Sequence, residues 1–265
     1  MTYFGGKGQD GVYQTIINQI PEHKVYIEPF LGGGAIMLKK KPALINIGID
    51  LAVESLLAFP PRLNLLLIKQ SFFDYLGSIK VENGCAISVD GSSEDIFAFT
   101  GSIDRYRTAE KTYSGRDVFI YCDPPYLHRN RGKTRYKFEM TDDDHIKLLN
   151  ILKRLGSAIA ISTYPNELYS EMLNDWRMLE YNSTDRTGTV RTENLFMNYP
   201  EPVFLHDDRY VGKNACERQG IKRRIERTKK RILNWKPQER QKLLRKILSN
   251  LSNEEYDNLI SSRDE

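Results

Sequence analysis

Short apolar runs in this chain repeatedly stop at residues that end a strand and open a turn. Residues 25–28 (Val-Tyr-Ile-Glu) run into Gly32-Gly33-Gly34, and residues 45–49 end at Asp50. Residues 118–121 (Val-Phe-Ile-Tyr) break off at Asp123-Pro124-Pro125-Tyr126. Residues 65–68 and 158–161 are further runs, and residues 193–198 form a late one. Between them the apolar spacing turns helical. It predicts a helix over 12–19, another beginning at Ala35, and a third after Thr141, capped with the help of Asp144. Strands alternating with helices predict an α/β fold built on a largely parallel sheet. Ligands of such sheets sit beyond the carboxyl ends of the strands. The glycine turn, Asp50 and the Asp-Pro-Pro-Tyr segment all fall at that edge.

Two stretches do not read as sheet core: residues 77–116, polar and rich in Ser, Gly and Asp, and the basic residues 128–137. The latter carry Arg129, Arg131, Lys133, Arg135 and Lys137, with a turn expected at Gly132. Beyond His206 the pattern is helical to the end. Ile221, Ile225, Ile232 and Trp235 form one apolar stripe, and Leu243, Leu244, Ile247, Leu248 and Leu251 form another. Pro237 separates them, and Ser252 with Glu255 reads as a capping box for a last helix. The net charge is only +4, yet fourteen Lys or Arg stand against three Glu between Lys213 and Lys246, a local net of +11. That block suits a polyanionic partner, and equally a solvated helix face.

An apolar content of 40% supports a packed core, and no apolar run is long enough to span a membrane. The opening residues, Met1 to Lys7, lack the pattern of a signal peptide. Cys85, Cys122 and Cys216 form no CxxC pair and no even set, which points to a reducing cytoplasm and to no structural metal.

The glycines let the backbone approach a ligand closely, although the dinucleotide pattern lacks its third glycine here. Alone, this is also what a tight strand-to-helix turn looks like. Asp50, an acid ending the next strand, is placed to hydrogen-bond the hydroxyls of a ribose, or simply to cap the following helix. The Asp-Pro-Pro-Tyr segment is the most informative. Two prolines fix an extended turn and offer no N–H. The Asp123 carboxylate and the Pro124 carbonyl are then two acceptors next to the Tyr126 ring, a combination that suits a planar base bearing an amino group.

Tyr3-Phe4-Gly5-Gly6-Lys7, residues 28–34 and Asp123-Pro124-Pro125-Tyr126 resemble, in that order, the motifs of the Dam-like (D12-class) adenine-N6 DNA methyltransferases. Residues 141–145, 160–164 and 191–199 resemble that family's downstream blocks, so the likeness spans roughly residues 1–200. It implies a Rossmann-like methyltransferase sheet with S-adenosylmethionine as cofactor and double-stranded DNA as partner, and no metal. Tyr3, Lys7, Glu28, Phe30, Gly32, Gly34, Asp50, Ser71 and Asp123 would surround the cofactor. Asp123 and Pro124 would accept from the adenine amine, and Tyr126 would stack on the base. Arg129, Arg131, Lys133, Arg135 and Lys137 would contact DNA. Residues 1–206 would be the catalytic domain, with 77–116 and 127–140 as target-recognition segments, and 207–265 a basic helical extension.

The chain departs from the family at Ser71, where an acid is usual near the end of the third strand. This keeps a second reading open, a nucleic-acid-binding protein with a decayed site. An RNA adenine or cytosine-N4 methyltransferase would use similar chemistry. The target sequence, a restriction endonuclease partner, a bacterial or phage host and the oligomeric state are left open by the sequence.

Overall fold

The computed structural model describes residues 6–60, 64–78, 96–100, 117–128, 137–184 and 188–252. Tyr3, the four basic residues Arg129, Arg131, Lys133 and Arg135, and Glu255 of the expected capping box lie outside them, as does Cys85. The chain divides into two units, residues 1–208 and 209–265.

The first unit follows the expected alternation. Helix α1 (Val12–Ile17) precedes β1 (Val25–Pro29), then come α2 (Ala35–Lys39), β2 (Ile45–Asp50), α3 (Val53–Ala58), β3 (Leu65–Lys69) and α4 (Phe72–Ser78). After β4 (Ile96–Thr100) come β5 (Val118–Cys122), α5 (Asp142–Leu152), β6 (Ala158–Thr163), α6 (Glu167–Met172), β7 (Arg177–Thr184) and β8 (Val190–Met197). One eight-stranded sheet results, in the order β4-β3-β2-β1-β5-β6-β8-β7. Strands β1, β2, β3, β5 and β6 pair in parallel, and β4 and β8 join antiparallel to their neighbours. This is a Rossmann-like α/β sheet.

Burial follows the pairing. All five residues of β1 and of β5 are buried, as strands covered on both faces must be. Val25, Ile27, Ile47, Val118, Ile120 and Ile159 form the centre of the core, joined by Leu148, Leu149 and Leu152 of α5. Helix α5 starts where the sequence places it: Thr141 Oγ1 accepts from the Asp144 backbone N–H at 3.1 Å, and the Asp144 carboxylate accepts from the Thr141 N–H at 2.9 Å.

Two strands were hidden in the sequence. β4 lies within residues 77–116, which read as outside the sheet; it pairs with β3 at one edge. β7 closes the opposite edge, where alternate residues face outward and the strand carries Arg177, Glu180, Asn182 and Ser183. β7 needs only one apolar face and so lacks the continuous apolar run of a central strand, whereas β4 (Ile-Phe-Ala-Phe-Thr) is such a run, short and set within an otherwise polar stretch.

From β1 the chain winds outward through β2 to β3, then returns to place β5 on the other side of β1 and continues to β6. The carboxyl ends of β1 and β5 therefore flank the point where the winding reverses, the place where such sheets hold ligands.

The second unit contains α7 (Ala215–Leu233) and α8 (Pro237–Leu248). Asn214 caps α7 by accepting from the Glu217 N–H at 2.9 Å, and Pro237 occupies the first turn of α8. Neither helix buries a residue completely.

Candidate active site

At the reversal point a cavity opens, lined by the turn after β1 (Phe30 to Gly34), by Asp50 and Leu51 after β2, and by Asp123 and Pro125 after β5. Lys7, Glu28, Gln70, Phe72, Tyr121, Lys137 and Phe138 complete its walls. Three motifs far apart in sequence thus share one space.

The turn owes its shape to positive φ angles at Phe30 (63°), Gly32 (49°) and Gly34 (56°). A non-glycine residue in that region is uncommon, and such outliers gather at functional sites. Gly34 is also sterically required: a Cβ there would stand 2.2 Å from Phe59 Cε2. Asp50 ties the turn down. Its Oδ2 accepts from the Gly32 N–H and its Oδ1 from the Ala52 N–H, both at 2.7 Å. A carboxylate offers about four lone-pair sites, so two backbone donors leave acceptor capacity on a residue that also lines the cavity. Burial raises its pKa, against the pull of these bonds.

Glu28 lies under the turn, buried, with Oε2 accepting from the Tyr26 hydroxyl (2.8 Å) and the Met37 N–H (3.0 Å). Burial pushes its carboxyl up to about 8, the two hydrogen bonds offsetting only part of the effect. Phe30 and Phe72 pack with ring centroids 4.9 Å apart and give the cavity an apolar side.

Beside it lies a buried polar cluster. The Lys7 ammonium sits 3.0 Å from Asp123 Oδ1 and 3.0 Å from Glu193 Oε2, and donates to the Tyr126 hydroxyl at 2.6 Å. Tyr126 Oη in turn lies 2.9 Å from Asp123 Oδ1 and 2.6 Å from Glu193 Oε2. Tyr181 donates to the same Glu193 oxygen at 2.9 Å, and Ser183 to Oε1. Burial alone would lower the Lys7 pKa, but the two carboxylates outweigh it and hold the amine well above its ordinary range. Burial raises the Asp123 pKa, with Lys7 opposing and Glu193 adding to the rise. Glu193 is held below its ordinary value: burial works against ionisation, and Lys7, Ser183 and Tyr126 overcome it. Gln9 clasps Thr184 at the end of β7, its Oε1 accepting from the Thr184 N–H at 2.8 Å, which pins the segment carrying Lys7.

Of the expected site residues, Lys7, Glu28, Phe30, Gly32, Gly34, Asp50 and Asp123 converge on the cavity. Four are placed differently. Ser71 does not line it; its hydroxyl accepts from the Phe73 and Asp74 N–H groups (3.1 and 3.3 Å) and caps α4, while the preceding Gln70 faces the cavity. Tyr126, expected to offer an open stacking face, is 3% exposed, with its edge against Tyr164 (4.5 Å between centroids) and the Lys7 ammonium 5.0 Å from its ring centre. Pro124 is buried and outside the lining, although among the described residues no donor reaches its carbonyl. Lys137, expected on DNA, lies at the cavity and pairs with Glu54 at 2.7 Å.

Glu193, Tyr181, Gln70, Phe72, Tyr121 and Phe138 were not assigned roles from sequence. Glu193 left a legible sign: a carboxylate followed by Leu195-Phe196-Met197 in a buried strand must have partners. Among the described residues no group of His, Cys, Asp and Glu could hold a metal ion, and no helix is long and apolar enough to cross a membrane.

The fold and the site together define a Rossmann-like α/β protein with its cavity at the strand-order reversal. Residues 88–187 match the family model of the D12 class N6 adenine-specific DNA methyltransferases. No curated protein sequence matches the chain. Among solved structures it is similar to the precorrin 8w decarboxylase of Methanobacterium thermoautotrophicum: 13% identity, 74% of this chain and 94% of that one, TM-score 0.41. It is also similar to an rRNA methylase of Streptococcus thermophilus (11% identity, 70% and 92%, TM-score 0.36). A third is the magnesium protoporphyrin IX methyltransferase of Synechocystis, solved with bound SAM (9% identity, 70% and 75%, TM-score 0.35).

Proposed function

We propose that this protein is a methyltransferase that moves a methyl group from S-adenosylmethionine to the exocyclic N6 amine of an adenine in double-stranded DNA. The observation that carries the reading is the meeting of the glycine turn and Asp123 on one cavity. The family match over residues 88–187 supports adenine in DNA as the substrate.

The donor set suits the cofactor. Asp50 keeps acceptor capacity for ribose hydroxyls, Phe30, Leu51, Phe72 and Phe138 offer apolar walls to an adenine ring, and Glu28 and Asp123 place carboxyl groups near a sulfonium. When bound, the cofactor supplies an electrophilic methyl group and leaves as a neutral thioether. Adenine N6 is a weak nucleophile because its lone pair is shared with the ring. Asp123 accepts one N–H of the amine and the Pro124 carbonyl the other, which favours a pyramidal nitrogen and stabilises the charge that develops during attack. On transfer of that methyl group, the Asp123 carboxylate would take the amine proton that is released and pass it to water. Reaching N6 requires flipping the base from the duplex, at a cost of a few kcal/mol. Stacking on Tyr126 requires its ring, 3% exposed and packed against Tyr164, to be uncovered.

Incubation with cofactor labelled in the methyl group and with duplex DNA, RNA, or DNA lacking adenine tests this reading. Label should enter adenine of duplex DNA and be recovered as N6-methyladenine. Asp123→Ala should lower transfer on the order of 10²–10³-fold, as loss of a transition-state acceptor does. Equal transfer by wild type and variant removes Asp123 from the reaction; label in RNA or in cytosine replaces the substrate assignment.

A further inference from the structure

We infer that Glu193 is a positioning residue: from β8 it holds Lys7 and Tyr126 around Asp123, so that one Asp123 oxygen is tethered and the other is presented to substrate. The inference rests on the methyl-transfer reading for its kinetic consequence, while the geometry stands by itself.

Glu193 is 2% exposed, and both its oxygens are engaged. Oε2 meets three groups on three separate segments: it accepts from the Lys7 ammonium and the Tyr181 hydroxyl, and shares the single Tyr126 hydroxyl proton with Asp123 Oδ1. Oε1 takes the Ser183 hydroxyl. A buried carboxylate with both oxygens engaged in this way is held in orientation, because rotating it would forfeit the Lys7, Tyr181 and Ser183 contacts. Two of its partners are the groups that grip Asp123, and both do so at Oδ1. Among the described residues Oδ2 receives no donor, and Asp123 lines the cavity at 23% side-chain exposure. Glu193 thus shares the Lys7 ammonium with Asp123 at equal distance, 3.0 Å each, and draws it back from the carboxylate that the amine must reach.

Isosteric Glu193→Gln keeps the volume and removes the charge. Asp123 is faced by Lys7, by Glu28 of β1, by Glu193, by the Cys122 thiol and by the hydroxyls of Tyr121, Tyr126, Tyr169 and Tyr181. Removing a like charge from that set should move the acid limb of kcat/KM down by about one pH unit. The misplaced carboxylate should lower kcat on the order of 10²-fold, with KM for DNA nearly unchanged. A second readout is independent of turnover: the carboxyl ¹³C resonance of Asp123, assigned with Asp123→Asn, should titrate about one pH unit lower in Glu193→Gln. Tyr181→Phe, which deletes one donor to Glu193 and keeps every charge, should lower kcat severalfold and serves if Glu193→Gln does not fold. A uniform loss of rate with an unmoved limb and an unmoved Asp123 titration would overturn the inference, as would an unchanged kcat in Tyr181→Phe. If the wild type methylates nothing, the proposed function fails, and the ¹³C titration still decides whether Glu193 governs Asp123.

Discussion

The site concentrates ionisable groups in a small buried volume, and their protonation states follow from which of them has a partner. Lys7 is surrounded by acceptors, so its charge is retained on folding. Glu28 is not: its partners are a phenol and a backbone amide, and burial prevails, raising its pKa to about 8. Between its unfolded value of 4.5 and 8 the folded state therefore holds a proton that the unfolded chain has released. Stability contributed by this group falls as pH rises through that window. Glu28→Gln keeps an acceptor for Tyr26 and Met37 and has nothing to ionise. Without cofactor, the melting temperature of the variant relative to wild type should rise by roughly 5 °C between pH 6 and pH 9. A difference that stays constant would mean that Glu28 is charged throughout.

At the scale of elements, the site is built from strand ends and the turns that leave them. The turn from β1 to α2 tolerates little change. At Gly34 a methyl group would meet the buried Phe59 ring at 2.2 Å and Leu31 Cδ1 at 3.0 Å, at a backbone φ of +56° that disfavours any side chain. Gly34→Ala should cost about 1–3 kcal/mol from overpacking alone and abolish cofactor binding by displacing the turn. Gly8→Ala, whose Cβ among the described residues meets only Ala35 Cβ at 3.7 Å, should leave the urea midpoint nearly in place. Equal effects of the two substitutions would show that the turn is not sterically determined. The central strands of this architecture were legible in sequence because strands buried on both faces are mostly apolar; β1, β2, β3, β5 and β6 all appeared as predominantly apolar runs. β7 did not, since an edge strand mixes polar with apolar residues, and β4 (Ile-Phe-Ala-Phe-Thr) was passed over because its short apolar run sits within a long polar stretch. The same logic applies to side chains. Glycines, Asp50 and Asp123 were visible because they interrupt apolar runs at a predictable edge. The capping role of Ser71 and the burial of Tyr126 depend on packing across elements, which local spacing does not encode. Glu193 joins the site only because β8 inserts between β6 and β7.

At the scale of the whole chain, the charge is segregated. The second unit carries the +11 block, and in α7 Arg218, Lys222 and Lys229 flank the Ile221, Ile225 and Ile232 stripe while Arg223, Arg227 and Lys230 lie around the rest of the helix. A reading as a purely solvated surface and a reading as a grip on phosphates differ in one measurable way. Each phosphate neutralised by a Lys or Arg releases counterions, so log K falls with log salt with a slope of about −0.9 per contact on duplex DNA. Such contacts position the protein without reading bases. Replacing Lys222, Arg223, Lys229 and Lys230 by Gln removes four charges from residues exposed on α7. Duplex affinity should then weaken alike for every sequence, and the salt slope should become shallower by about 0.9 for each of these residues that contacts a phosphate. Fluorescence anisotropy on two unrelated duplexes between low and physiological salt measures both quantities. An unchanged slope with unchanged affinity would leave the basic helices outside the DNA interface and confine binding to the first unit.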